Sequence, residues 1–169
     1  MRWMWIDQIV EFTPAKSLVA IKNVSLSEEH LHDHAIGDVP VMPASLMIEG
    51  MAQTAGILVG SINHFREKVI LAKIVTARFD ADVFAGETIR YTALLEHITG
   101  AGASTSGAVQ RMRHSGEHAG QWQTIGQVDL MFSHLDQNLA GLEFPEENFV
   151  FSDNFRMILR AAGLEAAVM

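Results

Sequence analysis

The sequence predicts an α+β fold, a curved antiparallel sheet wrapped around one long central helix. Three observations carry this. Residues 44–62 form the one long helical stretch and are apolar nearly all round, with Leu46, Met47, Ile48, Met51, Ile57, Leu58 and Val59. A helix of that kind is buried on most of its surface. Two strand-like runs precede it and four follow, which puts several strands around one helix. Finally, hydrophobic residues make up 49% of the 169 residues and charged ones only 19%, so surplus apolar side chains need a burial site. The length suits one domain, or one domain with an appendage.

Each element has its own signal. Residues 6–12 read as a strand, and Thr13-Pro14-Ala15-Lys16 as a turn, because proline presets φ for a turn position. Residues 17–24, rich in Leu18, Val19, Ile21 and Val24, complete a hairpin. Residues 25–39 are mixed in polarity and read as loop. Pro40 and Pro43 lack N–H groups and bar helix before the second of them, while Pro43 suits the first helical turn. Within the helix, Ala44, Gly50, Ala52, Ala55, Gly56 and Gly60 let a sheet approach closely. Residues 69–79, 88–98, 103–112 and 122–132 read as strands, punctuated by Gly86, by residues 100–102 and by residues 115–120. Residues 1–135 form the predicted domain. Residues 136–169 form a C-terminal extension with a helix-like pattern of Phe155, Ile158, Leu159 and Ala162, with Ser152 or Asp153 as N-cap.

Composition excludes several classes of function. Twelve Lys+Arg against twenty Asp+Glu give a net charge of −8, which argues against nucleic-acid binding through overall basic charge. The absence of cysteine excludes disulfides, thiolate metal sites and a Cys nucleophile, and fits a reducing compartment. Asp7 and Glu11 interrupt the stretch where a signal peptide would be apolar. Glu49, Gln53 and two prolines interrupt residues 39–63. The expectation is therefore a cytoplasmic protein without a membrane span.

Chemistry concentrates in two places. Glu49 breaks the apolar helix, and an isolated buried carboxylate costs several kcal/mol unless it is paired, protonated or functional. Burial would raise its pKa and equip it as a general acid. Gln53 lies one turn on, on the same face. A local structural hydrogen bond is the plainer reading of the pair. His30, His32 and His34 form the second cluster, and alternate spacing would put them on one side of an extended strand. A metal site, a solvated loop and a general base are the three readings. His34 precedes Gly37, Pro40 and Pro43, so an imidazole sits near the helix N-terminus, whose N–H groups suit a developing oxyanion. Base, acid and oxyanion donors in one place are what proton abstraction beside a carbonyl requires.

The run His34-Ala35-Ile36-Gly37-Asp38-Val39-Pro40-Val41-Met42-Pro43, followed by Leu46-Met47-Ile48-Glu49-Gly50-Met51-Ala52-Gln53, resembles the hot-dog-fold 3-hydroxyacyl-(acyl-carrier-protein) dehydratases. It is similar to the Glu branch of that family, although the His-x-Ile-Gly-Asp loop looks more like the Asp branch. The resemblance extends over residues 3–132 and includes Ile6-Asp7 with Ile9, Lys22-Asn23-Val24, Ala77-Arg78-Phe79 and Gly86-Glu87. It implies that His34 removes the C2 proton of a 3-hydroxyacyl thioester and that Glu49 protonates the departing hydroxyl. It further implies substrate contacts at Gly37, Pro43 and Gln53, an apolar tunnel beside the helix, and a homodimer or higher oligomer of dimers that pairs the His of one subunit with the acid of the other. The implied partner is the acidic acyl-carrier protein, with Arg66, Lys68, Lys73 and Arg78 as docking cations. No cofactor and no metal are implied. Departures lie at Ala35-Ile36, at Val39, which reads as an insertion, and at Ala44, where a glycine is usual.

The expected activity is dehydration to the trans-2-enoyl thioester in fatty-acid or lipid A precursor synthesis. A hot-dog acyl thioesterase is the alternative within enzymes, and a non-catalytic acyl-carrier-protein or lipid-binding protein is the alternative outside them.

Overall fold

The computed structural model describes residues 4–135 and 153–164. A six-stranded antiparallel sheet has the order β1-β2-β6-β7-β8-β5. Its strands are β1 (Gln8–Thr13), β2 (Ser17–Asn23), β5 (Lys68–Phe79), β6 (Thr88–Thr99), β7 (Gly102–Met112) and β8 (Trp122–Leu135). Helix α2 (Ala44–Ile62) lies in its concave face, packed against β2, β5, β6, β7 and β8. The predicted architecture is the observed one, and the central helix has the predicted bounds.

Small residues set how closely sheet and helix approach. A Cβ on Gly50 would lie 2.5 Å from Cζ and Oη of Tyr91, so only glycine lets this fully buried ring pass under the helix. Gly107 of β7 makes the same allowance for Met51, whose sulfur would lie 2.6 Å from an added Cβ. Met47, Met51, Ile57 and Leu58 are fully buried and meet Leu18, Ile89, Ile125 and Leu130 from the sheet. By length and composition α2 could cross a membrane, but it serves here as the core helix. No glycine stops it. His64 and Phe65 take left-handed φ values of 53° and 56°, held by N–H bonds to the carbonyls of Ser61 and Gly60 and by burial of the Phe65 ring.

Residues 25–39, predicted as loop, contain regular structure. One helical turn, α1 (Glu29–His32), is anchored by buried Leu31, and the Glu28 carboxylate accepts the Ser25 N–H at 3.2 Å. A hairpin follows, β3 (Ala35–Ile36) with β4 (Val39–Pro40). Elements of four and two residues are too short for periodicity to register. Val39, read as an insertion, is the partner of Ile36 across this hairpin. Pro43 occupies the N-cap position rather than the first turn, and its carbonyl accepts N–H bonds from Leu46 and Met47.

The tail contributes α3 (Asp153–Ala161), which packs against β1 and buries Leu159. Its N-cap position, predicted at Ser152 or Asp153, falls at the edge of the described residues.

Candidate active site

Glu49 and Gln53 project from the same face of α2 into a cavity of about 240 Å³. Ala52 and Gly56 complete the helical wall, and their small size leaves the space; a Cβ on Gly56 would already lie 3.7 Å from the Phe132 ring. The start of β5, Val69 to Leu71, and Phe132 of β8 also line it. Glu49 is half-buried, not enclosed as the apolar pattern suggested. Its Oε1 accepts the Gln53 side-chain N–H at 3.0 Å, and Gln53 Oε1 accepts the backbone N–H of Trp5 at 2.8 Å. Gln53 is thus held at both ends of its amide. It lines the cavity, but its geometry is that of a clamp on the carboxylate more than of a group presented to substrate.

His34 is fixed by two bonds. Its carbonyl accepts the Val41 N–H at 3.0 Å, and its Nδ1 lies 2.7 Å from the His30 carbonyl oxygen. A carbonyl only accepts, so Nδ1 carries a proton, and in the neutral imidazole the lone pair is then on Nε2, the tautomer a general base acting through Nε2 needs. Gly37 takes φ +61° in the two-residue turn of the β3–β4 hairpin, which a side chain would strain. Within one chain His34 does not line the cavity that holds Glu49. The loop from His32 to Val39 is exposed throughout, including the apolar Ile36 and Val39 at 51% and 53%.

The three histidines do not share one face of a strand, as their alternation suggested, because His30 and His32 belong to the α1 turn. Among the described residues no group of three or more His, Asp or Glu is placed to hold a metal ion. His30 instead packs edge-on against Trp5, with ring centroids 4.8 Å apart. Burial lowers its pKa from the ordinary value; Glu28 opposes this, and Lys22 and His34 reinforce it.

The predicted docking cations separate. Lys68 is buried, at 9% exposure, and cannot present its charge to a partner's surface. Arg66, Lys73 and Arg78 are exposed, and Arg78 is paired with Asp80 at 2.9 Å.

The core helix thus carries Glu49 hydrogen-bonded to Gln53, and the loop before it carries His34. The FabA-like domain matches residues 2–120. The chain belongs to the FabA-like domain family. It is 37% identical over 95 residues to a 3-hydroxyacyl-(acyl-carrier-protein) dehydratase FabZ of Polynucleobacter asymbioticus, covering 56% of this chain and 63% of that protein. It is 40% identical over 91 residues to one of Geotalea uraniireducens, covering 52% and 62%. The match therefore spans less than two thirds of these relatives' own length. Among solved structures, a thioesterase family protein of Silicibacter pomeroyi has a TM-score of 0.59 at 12% identity, covering 76% of this chain and 83% of that one. A dehydratase heterocomplex, ApeI:P of Xenorhabdus doucetiae, has 0.58 at 16%, covering 79% and 84%. At such identities these establish the hot-dog fold alone.

Three participants escaped the sequence reading. Trp5 holds Gln53 through a backbone N–H, to which no side-chain pattern points. His30 positions His34 through its carbonyl, so its imidazole was a misleading signal. Phe155, from α3, forms part of the wall of the Glu49 cavity; its helical pattern was legible, but not where the helix docks.

Proposed function

We propose that this protein dehydrates 3-hydroxyacyl chains tethered to acyl-carrier protein, as a Glu-branch member of the family in fatty-acid or lipid A precursor synthesis. His34 Nε2 takes the C2 proton, the electron pair forms the C2=C3 double bond, and the C3–O bond breaks as Glu49 protonates the departing hydroxyl to water. The product is the trans-2-enoyl thioester. The observation that carries the reading is the pairing of a carboxylate clamped in an apolar cavity with a histidine whose tautomer leaves Nε2 basic. No side chain of the described residues caps α2, so its first N–H groups suit the thioester oxygen, with Gly37 shaping the facing loop and Pro43 setting the start of the helix.

The site is completed across a homodimer. β5 is an edge strand of twelve residues, and Leu71, Ile74 and Val75 are exposed at 38%, 44% and 52%. Long apolar edges invite pairing with another chain. A second copy on β5 covers them and brings its His34 loop to the Glu49 cavity. Arg66 and Lys73 remain as docking cations for the acidic carrier, in the cytoplasm. His34→Ala and Glu49→Gln are each expected to lower the dehydration rate by about 10²–10⁴ while leaving the fold intact. Wild-type rates in either variant would sink the proposal, and free thiol without enoyl product would replace it with thioester hydrolysis.

A further inference from the structure

We propose that α3 sets the length of acyl chain this site accepts, through Phe155; the inference rests on the function proposed above. The Phe155 ring lines the same cavity as Glu49, so any chain entering beside the carboxylate meets it. The helix holding the ring is docked. Leu159 is 1% exposed, Ile158, Ala162 and Leu164 pack on the core, and α3 lies against β1. The cavity, about 240 Å³, falls below the ~300–1,000 Å³ usual for small-molecule sites. Val69 and Phe132 are buried in sheet positions, and Ala52 and Gly56 belong to the core helix. Among the described lining residues Phe155 comes from α3, outside both the sheet and the core helix; α3, like Phe132 of β8, lies beyond the family match, which ends at residue 120. The extension therefore supplies a wall from outside the sheet and the core helix.

The test is chain-length profiling with 3-hydroxyacyl-pantetheine thioesters from butyryl to tetradecanoyl length. Two readouts are followed, kcat/KM for dehydration and binding affinity by calorimetry, in the full chain. Phe155→Ala should raise the long-to-short preference by roughly fourfold for each methylene newly buried. Phe155→Trp should move it the other way, with short chains still bound. Leu159→Asp, which undocks the helix, should reproduce the Ala profile, so a failure of α3 to stay folded in one variant does not shelter the idea. Thermal melting confirms that the domain itself is folded. Unmoved profiles in folded Phe155→Ala and Phe155→Trp overturn the proposal. Binding profiles that shift in a protein with no dehydratase turnover uphold the wall and reject the catalytic reading.

Discussion

The two regions to which the proposed function assigns the chemistry have opposite surroundings. α2, with Glu49, is buried on almost every side and its carboxylate is clamped; the His34 loop is pinned at its root but exposed from His32 to Val39. Under the proposed function the acid is held within one chain, whereas the base stands on an exposed loop outside the Glu49 cavity. That contrast fits the proposed site shared between two copies, in which each chain supplies one held group and one exposed group.

Separating the copies breaks the comparison most severely. Val75→Glu sets like charges against each other on the proposed β5–β5 contact. Size-exclusion chromatography should show a monomer, and dehydration should fall by about 10² or more, as for loss of a catalytic group. A dimer with normal activity would move the interface elsewhere.

Two glycines give the next effect. Gly50→Ala drives a methyl into the buried Tyr91 ring, and overpacking of this kind costs about 1–3 kcal/mol, readable in urea unfolding. Gly37→Ala meets nothing within 4 Å, so its cost is the left-handed backbone alone, about 1–2 kcal/mol. Equal penalties with unchanged turnover in both would show the hairpin to be unimportant to the site.

Gln53→Ala is subtler. It removes the Gln53 hydrogen bond to Glu49 and the Gln53 oxygen that accepts the Trp5 N–H, at a stability cost of about 1–3 kcal/mol. The clamp predicts a lower kcat at nearly constant KM, while a substrate contact predicts a rise in KM with kcat preserved.

The smallest effect is on pH. His30 is half-buried with its pKa lowered from 6.5, so the unfolded chain binds its proton more readily than the folded one. The associated stability is complete above the unfolded value and is lost as pH falls below it toward the folded value. Melting temperature scanned from about pH 8 to about pH 5 should fall less steeply in His30→Gln than in the wild type.

Much of this was legible in the sequence. α2 announced its bounds because an all-round apolar run of that length has one way to be buried, and Glu49 stood out against it. The strands followed from β-branched runs between turns. What stayed hidden depends on contacts no periodicity shows: Trp5 on Gln53, the His30 carbonyl on His34, and Phe155 against the cavity of Glu49, 106 residues before it. Lys68 was misread because strand position, not charge, decides whether a lysine at the start of β5 points inward.

The shared site is tested most directly by mixing two inactive chains. His34→Ala and Glu49→Gln are each purified, combined in equal amounts, unfolded and refolded together. If base and acid meet across the dimer, a mixed dimer holds one intact pair and one doubly altered pair. Random pairing then returns about a quarter of wild-type dehydratase activity. Refolded mixtures no more active than the separate variants, with mixed dimers demonstrably present, would contradict a site built from two subunits.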